Sequence, residues 1–154
     1  MMSRFTAIIF ASGLTLALGG CSDGLQPENL VKGQDACALC RMPVSDIHFA
    51  AQITAPGELP LFFDDAGCLG EFVKGDKAKA GSLAFVADHR TGSWVRADRA
   101  LYTRVPTLST PMNHHLIAHE NAGSRDADPD ARGGLAIEPR EIFGPKGPPA
   151  GGHE

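Results

Sequence analysis

Ile47, Phe49, Ala51 and Ile53 alternate with His48, Ala50, Gln52 and Thr54. This two-residue period predicts a strand with one face on a core and the other in water. Pro56-Gly57 supplies a turn, and Leu59 to Phe63 reads as a second strand, so the short connection predicts an antiparallel hairpin. Asp64-Asp65 then offers a helix cap. Cys68, Leu69, Phe72 and Val73 follow at the spacing of one apolar helical stripe, which predicts a helix over 66–74. The chain holds 18 glycines and 11 prolines, above ordinary usage, so its elements must be short and its turns many.

Alternation returns at Ser82–Asp88, breaks at Thr91-Gly92 and resumes from Trp94 through Val105 with an interruption near Asp98, giving two or three further strands. Pro111, its ring already holding the helical backbone angle, is expected to start a helix carrying Leu116 and Ile117. Ser124 to Gly134 is rich in Asp, Arg and Gly and reads as a solvated loop. Leu135-Ala136-Ile137 makes a last strand. The order hairpin, helix, strand thus occurs before about Asp88 and again after it, a duplication of architecture without a matching repeat of residues. The expected class is α+β, with two small related ββαβ units over 37–81 and 82–143. Residues 144–154, with three prolines and four glycines among them, are expected to be a disordered tail.

The N-terminal residues predict export. Arg4 precedes an apolar run from Ala7 to Leu18, too short for a permanent membrane span, and the run ends in Leu18-Gly19-Gly20-Cys21. Small residues directly before a cysteine look like a bacterial lipoprotein cleavage box. Residues 1–20 would then be removed, Cys21 lipidated and consumed as a thioether, and the polar, aperiodic stretch over 21–36 left as a flexible tether to the periplasmic side of a membrane. With Cys21 modified, Cys37, Cys40 and Cys68 remain, an odd number in an oxidising compartment, so at least one thiol stays unpaired or binds something. A Cys37–Cys40 disulfide would remove two candidate ligands. Acidic side chains outnumber basic ones, 18 to 14, which argues against nucleic acid as a partner.

Two segments concentrate soft donors. Cys37-Ala38-Leu39-Cys40-Arg41-Met42 packs two thiols and a thioether into six residues, and Pro111-Met112-Asn113-His114-His115 sets a thioether beside two imidazoles. Beyond the first two residues, Met42 and Met112 are the only methionines. Sulfur and imidazole favour Cu(I), whereas oxygen-preferring ions need carboxylate clusters. A thioether binds without deprotonation, so Cys40 as thiolate anchor with Met42 and Met112 as neutral ligands suits a carrier that must release its ion. Cys37, Cys68, His114 and His115 are reserve ligands. The competing roles are burial of Met42 and Cys68 in a core, activation of Cys68 in the first turn of a helix, and a solvated surface position for His114, His115 and His119.

Other chemistries fit less well. Covalent haem attachment needs a histidine after Cys40, where Arg41 stands, and a structural zinc site would show a second paired ligand group. A thioredoxin-like pair would precede a long helix, yet Pro43 and a strand follow. No hydrolytic elbow, phosphate loop or His-Glu-x-x-His helix is present, so no enzyme is expected. Two readings besides a carrier stay open. The Cys37/Cys40 pair could act in thiol-disulfide exchange, or a Cys37–Cys40 disulfide could staple the domain.

The motifs resemble the NosL-like accessory lipoproteins that help mature the copper sites of nitrous oxide reductase. Cys40-Arg41-Met42 resembles that family's Cys-Gly-Met. Phe49-Ala50-Ala51-Gln52, and Phe63-Asp64-Asp65 with Gly67-Cys68-Leu69, look like its first hairpin and helix start. Asp88, Thr91 and Trp94 match its Asp-x-x-Thr-x-x-Trp turn, and Pro111-Met112 its Pro-Met step. The resemblance implies a fold of two ββαβ units and a Cu(I) metallochaperone with ligands Cys40, Met42 and Met112. Its partner would be nitrous oxide reductase or the membrane-bound transporter of its assembly machinery. Arg41 in place of glycine, and Asn113-His114-His115 in place of a glycine-rich step, are departures from the pattern.

Overall fold

The computed structural model describes residues 24–151. The expected signal segment over 1–20, the expected lipidation site Cys21 and the last three residues lie outside that range. The chain is α+β, as expected. Strands β1 (Ala51–Thr54), β2 (Leu61–Phe63), β3 (Leu83–Ala87) and β4 (Trp94–Arg96) form one antiparallel sheet in the order β2-β1-β3-β4, with α1 (Ala66–Lys74) between β2 and β3 in sequence. Strands β5 (Leu101–Arg104), β6 (Leu116–His119) and β7 (Leu135–Ile137) form a second antiparallel sheet in the order β6-β5-β7, with α2 (Ala122–Ala127) and a 3-10 turn at Pro129–Ala131 between β6 and β7. In each set the first strand is central, flanked by its hairpin partner and by the strand that follows the helix. A third helix, α3 (Pro139–Phe143), closes the second set.

The hairpin, α1 and the later strands fall where the residue pattern placed them, but five expectations are corrected. The first strand begins four residues late, because Ile47–Phe49 forms a turn closed by the Phe49 N–H on the Asp46 carbonyl. What remains of it is buried throughout. β1 lies between two neighbours, and its polar Gln52 is matched by the backbone N–H and carbonyl of Glu28, at 2.8 and 3.0 Å. The second correction follows: the described part of the tether is packed, with Gly33 and Asp35 hydrogen-bonded to Val44 and Leu30 set against Val44, Ala50 and Phe62.

No helix starts at Pro111. Asn113 and His115 take left-handed backbone angles, φ 55° and 57°, and Leu116 and Ile117 enter β6 against the free edge of β5. The stretch read as a solvated loop holds α2, whose N-cap Asn121 accepts the Ser124 N–H, and it buries Ser124 and Asp128. The described part of the tail is ordered: Ala84 N–H donates to the Pro149 carbonyl, and Gly151 N–H to that of Ser82. Arg96 adds a bond to the Ala150 carbonyl at 2.9 Å.

One continuous core joins both sheets. α1 turns Ala66, Cys68, Leu69 and Phe72 inward, and the Phe72 ring meets that of Phe63 edge to face at 5.1 Å. Such a pair is worth about 1 kcal/mol beyond the area it buries. α3 brings Ile142 and Phe143 onto the same core. It approaches α1 so closely at Gly70 that a Cβ there would lie 2.5 Å from the Ile142 carbonyl oxygen. Among the described residues no helix is long and apolar enough to cross a membrane.

Candidate metal centre

Asp65 fixes the start of α1 by accepting the Cys68 N–H at 2.8 Å, and this places the Cys68 side chain on the core side of the first turn. The Cys37–Met42 segment is a tight loop. Cys37 N–H donates to the Met42 carbonyl, Arg41 N–H to that of Cys37, and Ala38 N–H anchors the loop to Phe62 in β2. Arg41 pays the conformational cost of this turn, with φ at 68°, a region that disfavours side chains by roughly 1–2 kcal/mol. The loop thereby lays Cys37 against Cys68. Donor atoms of Cys37, Cys40 and Cys68 all lie within 4.8 Å of one another.

The three thiols are free and differ in environment. Cys37 and Cys68 are fully buried, and Cys40 is half-buried. Cys37 sulfur receives the Cys68 S–H, which together with N–H groups of Cys40, Asp64 and Leu39 outweighs its burial and brings it down to about 5. Cys68 is pushed up by giving that hydrogen bond, and by burial and the Asp65 charge. Of the two roles open to Cys68, burial in the core is the one found, and its hydrogen bond favours charge on Cys37 over charge on Cys68. Burial raises Cys40 as well, against a Met42 N–H that favours its thiolate.

The second soft segment reaches the same end of α1. Met112, like Cys40, is half-buried against the main core that contains Cys37 and Cys68, and its backbone N–H faces the Asp65 carboxylate. His114 Nδ1 lies 2.9 and 3.0 Å from the two oxygens of Asp65, and Nε2 lies 3.3 Å from Glu71. Donor atoms of Asp65, Cys68 and His114 again fall within 4.8 Å, so Cys68 belongs to both groupings. The Asp65 contact raises His114 against the effect of burial. Burial opposes charge on Asp65, but His114 and the Cys68 N–H prevail and hold it below the usual carboxylate range.

Of the residues expected to bind metal, Cys37, Cys40, Cys68 and His114 are thus gathered at one place, and the Met112 backbone lies at the Asp65 carboxylate beside them. Met42 keeps its backbone there, while the residue is 46% exposed. His115 turns away and donates from Nδ1 to the Leu108 carbonyl at 2.7 Å. His119 is fully buried in β6 instead of solvated. Sequence reasoning gave Asp65 only a capping role. Its second role, orienting His114, comes from a residue 49 positions away and has no local signature. A cleft of about 650 Å³ lies between the end of α1 and Gly144–Gly151, and no cysteine lines it.

No protein-family model and no curated protein matches the chain. Three neighbouring cysteines can hold a metal ion. Thiolate donors of this kind suit zinc, iron–sulfur and cuprous ions.

Proposed function

We propose that the protein is a lipid-anchored periplasmic Cu(I) metallochaperone of the NosL-like type, serving assembly of the nitrous oxide reductase copper sites. One observation carries this reading: the buried thiols of Cys37 and Cys68 are joined by a half-buried Cys40 that is followed two residues later by the exposed Met42. Cys37 and Cys40 hold the ion. Cys68 stands behind them as a third sulfur, and Met112 supplies a neutral donor from the second segment. Met42, at the surface, is the ligand that meets the receiving protein first. Ion transfer between proteins proceeds by exchange of one ligand at a time, and an exposed neutral sulfur is the ligand most readily exchanged.

The backbone supports the resemblance on which this reading leans. Arg41 takes the left-handed conformation that the middle glycine of a Cys-Gly-Met motif would adopt freely. Delivery to the reductase or to its membrane-bound assembly transporter, and anchoring through Cys21, follow from that resemblance. The test is a Cu(I) titration of the reduced protein against a chelating competitor. The Cys40→Ser, Met42→Ile double variant is expected to lose at least tenfold in affinity, and an unchanged affinity defeats the proposal.

The lowered pKa of Cys37 favours a second reading, thiol-disulfide exchange that keeps copper-site ligands reduced. An exchanging thiolate must be reachable. Cys37 is fully buried, and the accessible Cys40 is the thiol whose ionisation is disfavoured. Metal-free catalysis of disulfide exchange, abolished in each single cysteine variant, would decide for this alternative.

A further inference from the structure

We propose a second metal site, built from His89, His119 and Asp128, that takes a divalent ion of the zinc or copper(II) class and clips the two sheets together. His89 lies in the turn after β3, His119 ends β6, and Asp128 follows α2. Their donor atoms lie within 4.8 Å of one another, and all three residues are buried, His119 completely. His89 Nδ1 is 2.6 Å and His119 Nε2 2.9 Å from the same oxygen, Asp128 Oδ2. Two imidazoles and one carboxylate, with no sulfur, form a donor set that prefers divalent zinc or copper to cuprous ion.

The surroundings hold each donor in place. Asp128 Oδ1 accepts the Asp130 N–H at 2.9 Å, which orients the carboxylate and leaves Oδ2 for the histidines. The His89 backbone N–H donates to the Ala118 carbonyl, fixing the turn beside the strand that carries His119. Burial opposes charge on Asp128, but the two rings hold it ionised. A buried carboxylate needs a cation or several donors close by. Tetrahedral donors bonded at 2.0–2.1 Å to zinc stand about 3.3 Å apart, so each nitrogen need draw back from Asp128 Oδ2 by only several tenths of an ångström to admit the ion.

The tautomer of His119 is free to suit this role. Its buried Nδ1 meets no hydrogen-bond partner among the described residues, so nothing on the far side of the ring obliges Nε2 to keep the proton. On binding, the Nε2 proton of His119 moves to Nδ1 and that of His89 Nδ1 to Nε2. The rings remain neutral, and Asp128 balances one of the two positive charges. The site does not involve the cysteines, so its success or failure leaves the copper carrier reading untouched.

The test is an NMR titration of the reduced full chain with zinc chloride, following the imidazole nitrogens. His89 Nδ1 and His119 Nε2 are expected to shift into the metal-bound range together, at one equivalent beyond whatever zinc the thiols take. Asp128→Asn, whose amide oxygen can still accept the Asp130 N–H, is expected to lose that response by at least tenfold in zinc concentration. If both rings stay unchanged in the wild-type protein after the thiols are saturated, the site is an ion-paired network and the proposal fails, whether or not the variant folds.

Discussion

A Cβ placed on Gly67 would lie 2.0 Å from Cγ of His114, so the first turn of α1 is shaped to let that imidazole rest on it. The ring then reaches Asp65 and stands beside Cys68. Gly67→Ala should expel His114 and destabilise the protein by roughly 1–3 kcal/mol, the usual cost of overpacking. Gly67→Ala combined with His114→Ala should recover that loss, since alanine exceeds glycine in helix propensity by about 1 kcal/mol. Denaturant melts of the two single variants and the double give the coupling directly. Additive effects would mean that His114 does not occupy this position.

His114 also makes stability depend on pH. Its pKa is raised in the folded protein by Asp65, so its contribution is complete below the unfolded value and is lost as pH rises through the folded one. Asp65 is depressed, so its share is present above the unfolded carboxylate value and is lost as pH falls through the folded one. The pair is therefore most stabilising between the unfolded-state carboxylate and imidazole values, about 4 and 6.5. Asp65→Asn keeps a cap for the Cys68 N–H but removes the charge. NMR titration of the His114 ring should show its pKa falling in this variant, and stability should lose its decline above the unfolded imidazole value of about 6.5.

What could be read directly from residues was local. Asp65 with the Cys68, Leu69, Phe72 stripe defined α1 to the residue, because cap and stripe act within two turns. The alternation puts Gln52 of β1 in water, yet Glu28 covers it from outside the hairpin, and the strand starts late because a turn closed between Asp46 and Phe49 precedes it. Proline at 111 suggested a helix, but the left-handed Asn113 and His115 and the free edge of β5 decided for a strand. Helix α3 did carry a signal, proline at its first position with Glu138 and Glu141 as a capping box, in five residues too few to show a period. The Cys37/Cys40 pair was visible, whereas its union with Cys68 requires β2 and α1 to fold back. His89, His119 and Asp128 have no common spacing at all, so only the tertiary structure assembles them.

Asp88 organises the turn that carries His89. Its Oδ1 accepts from the backbone N–H groups of Arg90 and Thr91 and from the hydroxyls of Thr91 and Ser124, and its Oδ2 accepts from the Glu120 N–H. Asp88→Ala would leave several buried donors without an acceptor and should cost on the order of 3 kcal/mol in chemical denaturation. Burial opposes its charge, but these donors bring its pKa to about 2. The depressed value means that its contribution is full above the unfolded value of about 4 and fades as pH falls toward 2. Acid unfolding of the wild type should include this step, and Asp88→Asn should flatten the curve there. An unaltered acid limb would show that the carboxylate is not charged in the folded state.

Cys37 and Cys68 form an unequal pair, one holding charge and the other a proton, and this sets how copper uptake responds to acidity. Because Cys37 is brought down to about 5, it is already ionised at neutral pH and binds Cu(I) without displacing a proton. Ultraviolet thiolate absorbance of the metal-free reduced protein should therefore show one thiolate appearing near pH 5, well below the ordinary thiol range around 8.5. Cys68→Ala removes the S–H donor and should move that transition upward, while Cys68→Ser, which keeps a donor, should move it less. Copper affinity should track the same transition, falling about tenfold for each pH unit below it if Cys37 is the first ligand. A thiolate that appears only in the ordinary range, with copper affinity still rising steeply through neutral pH, would exclude the charge assignment to Cys37.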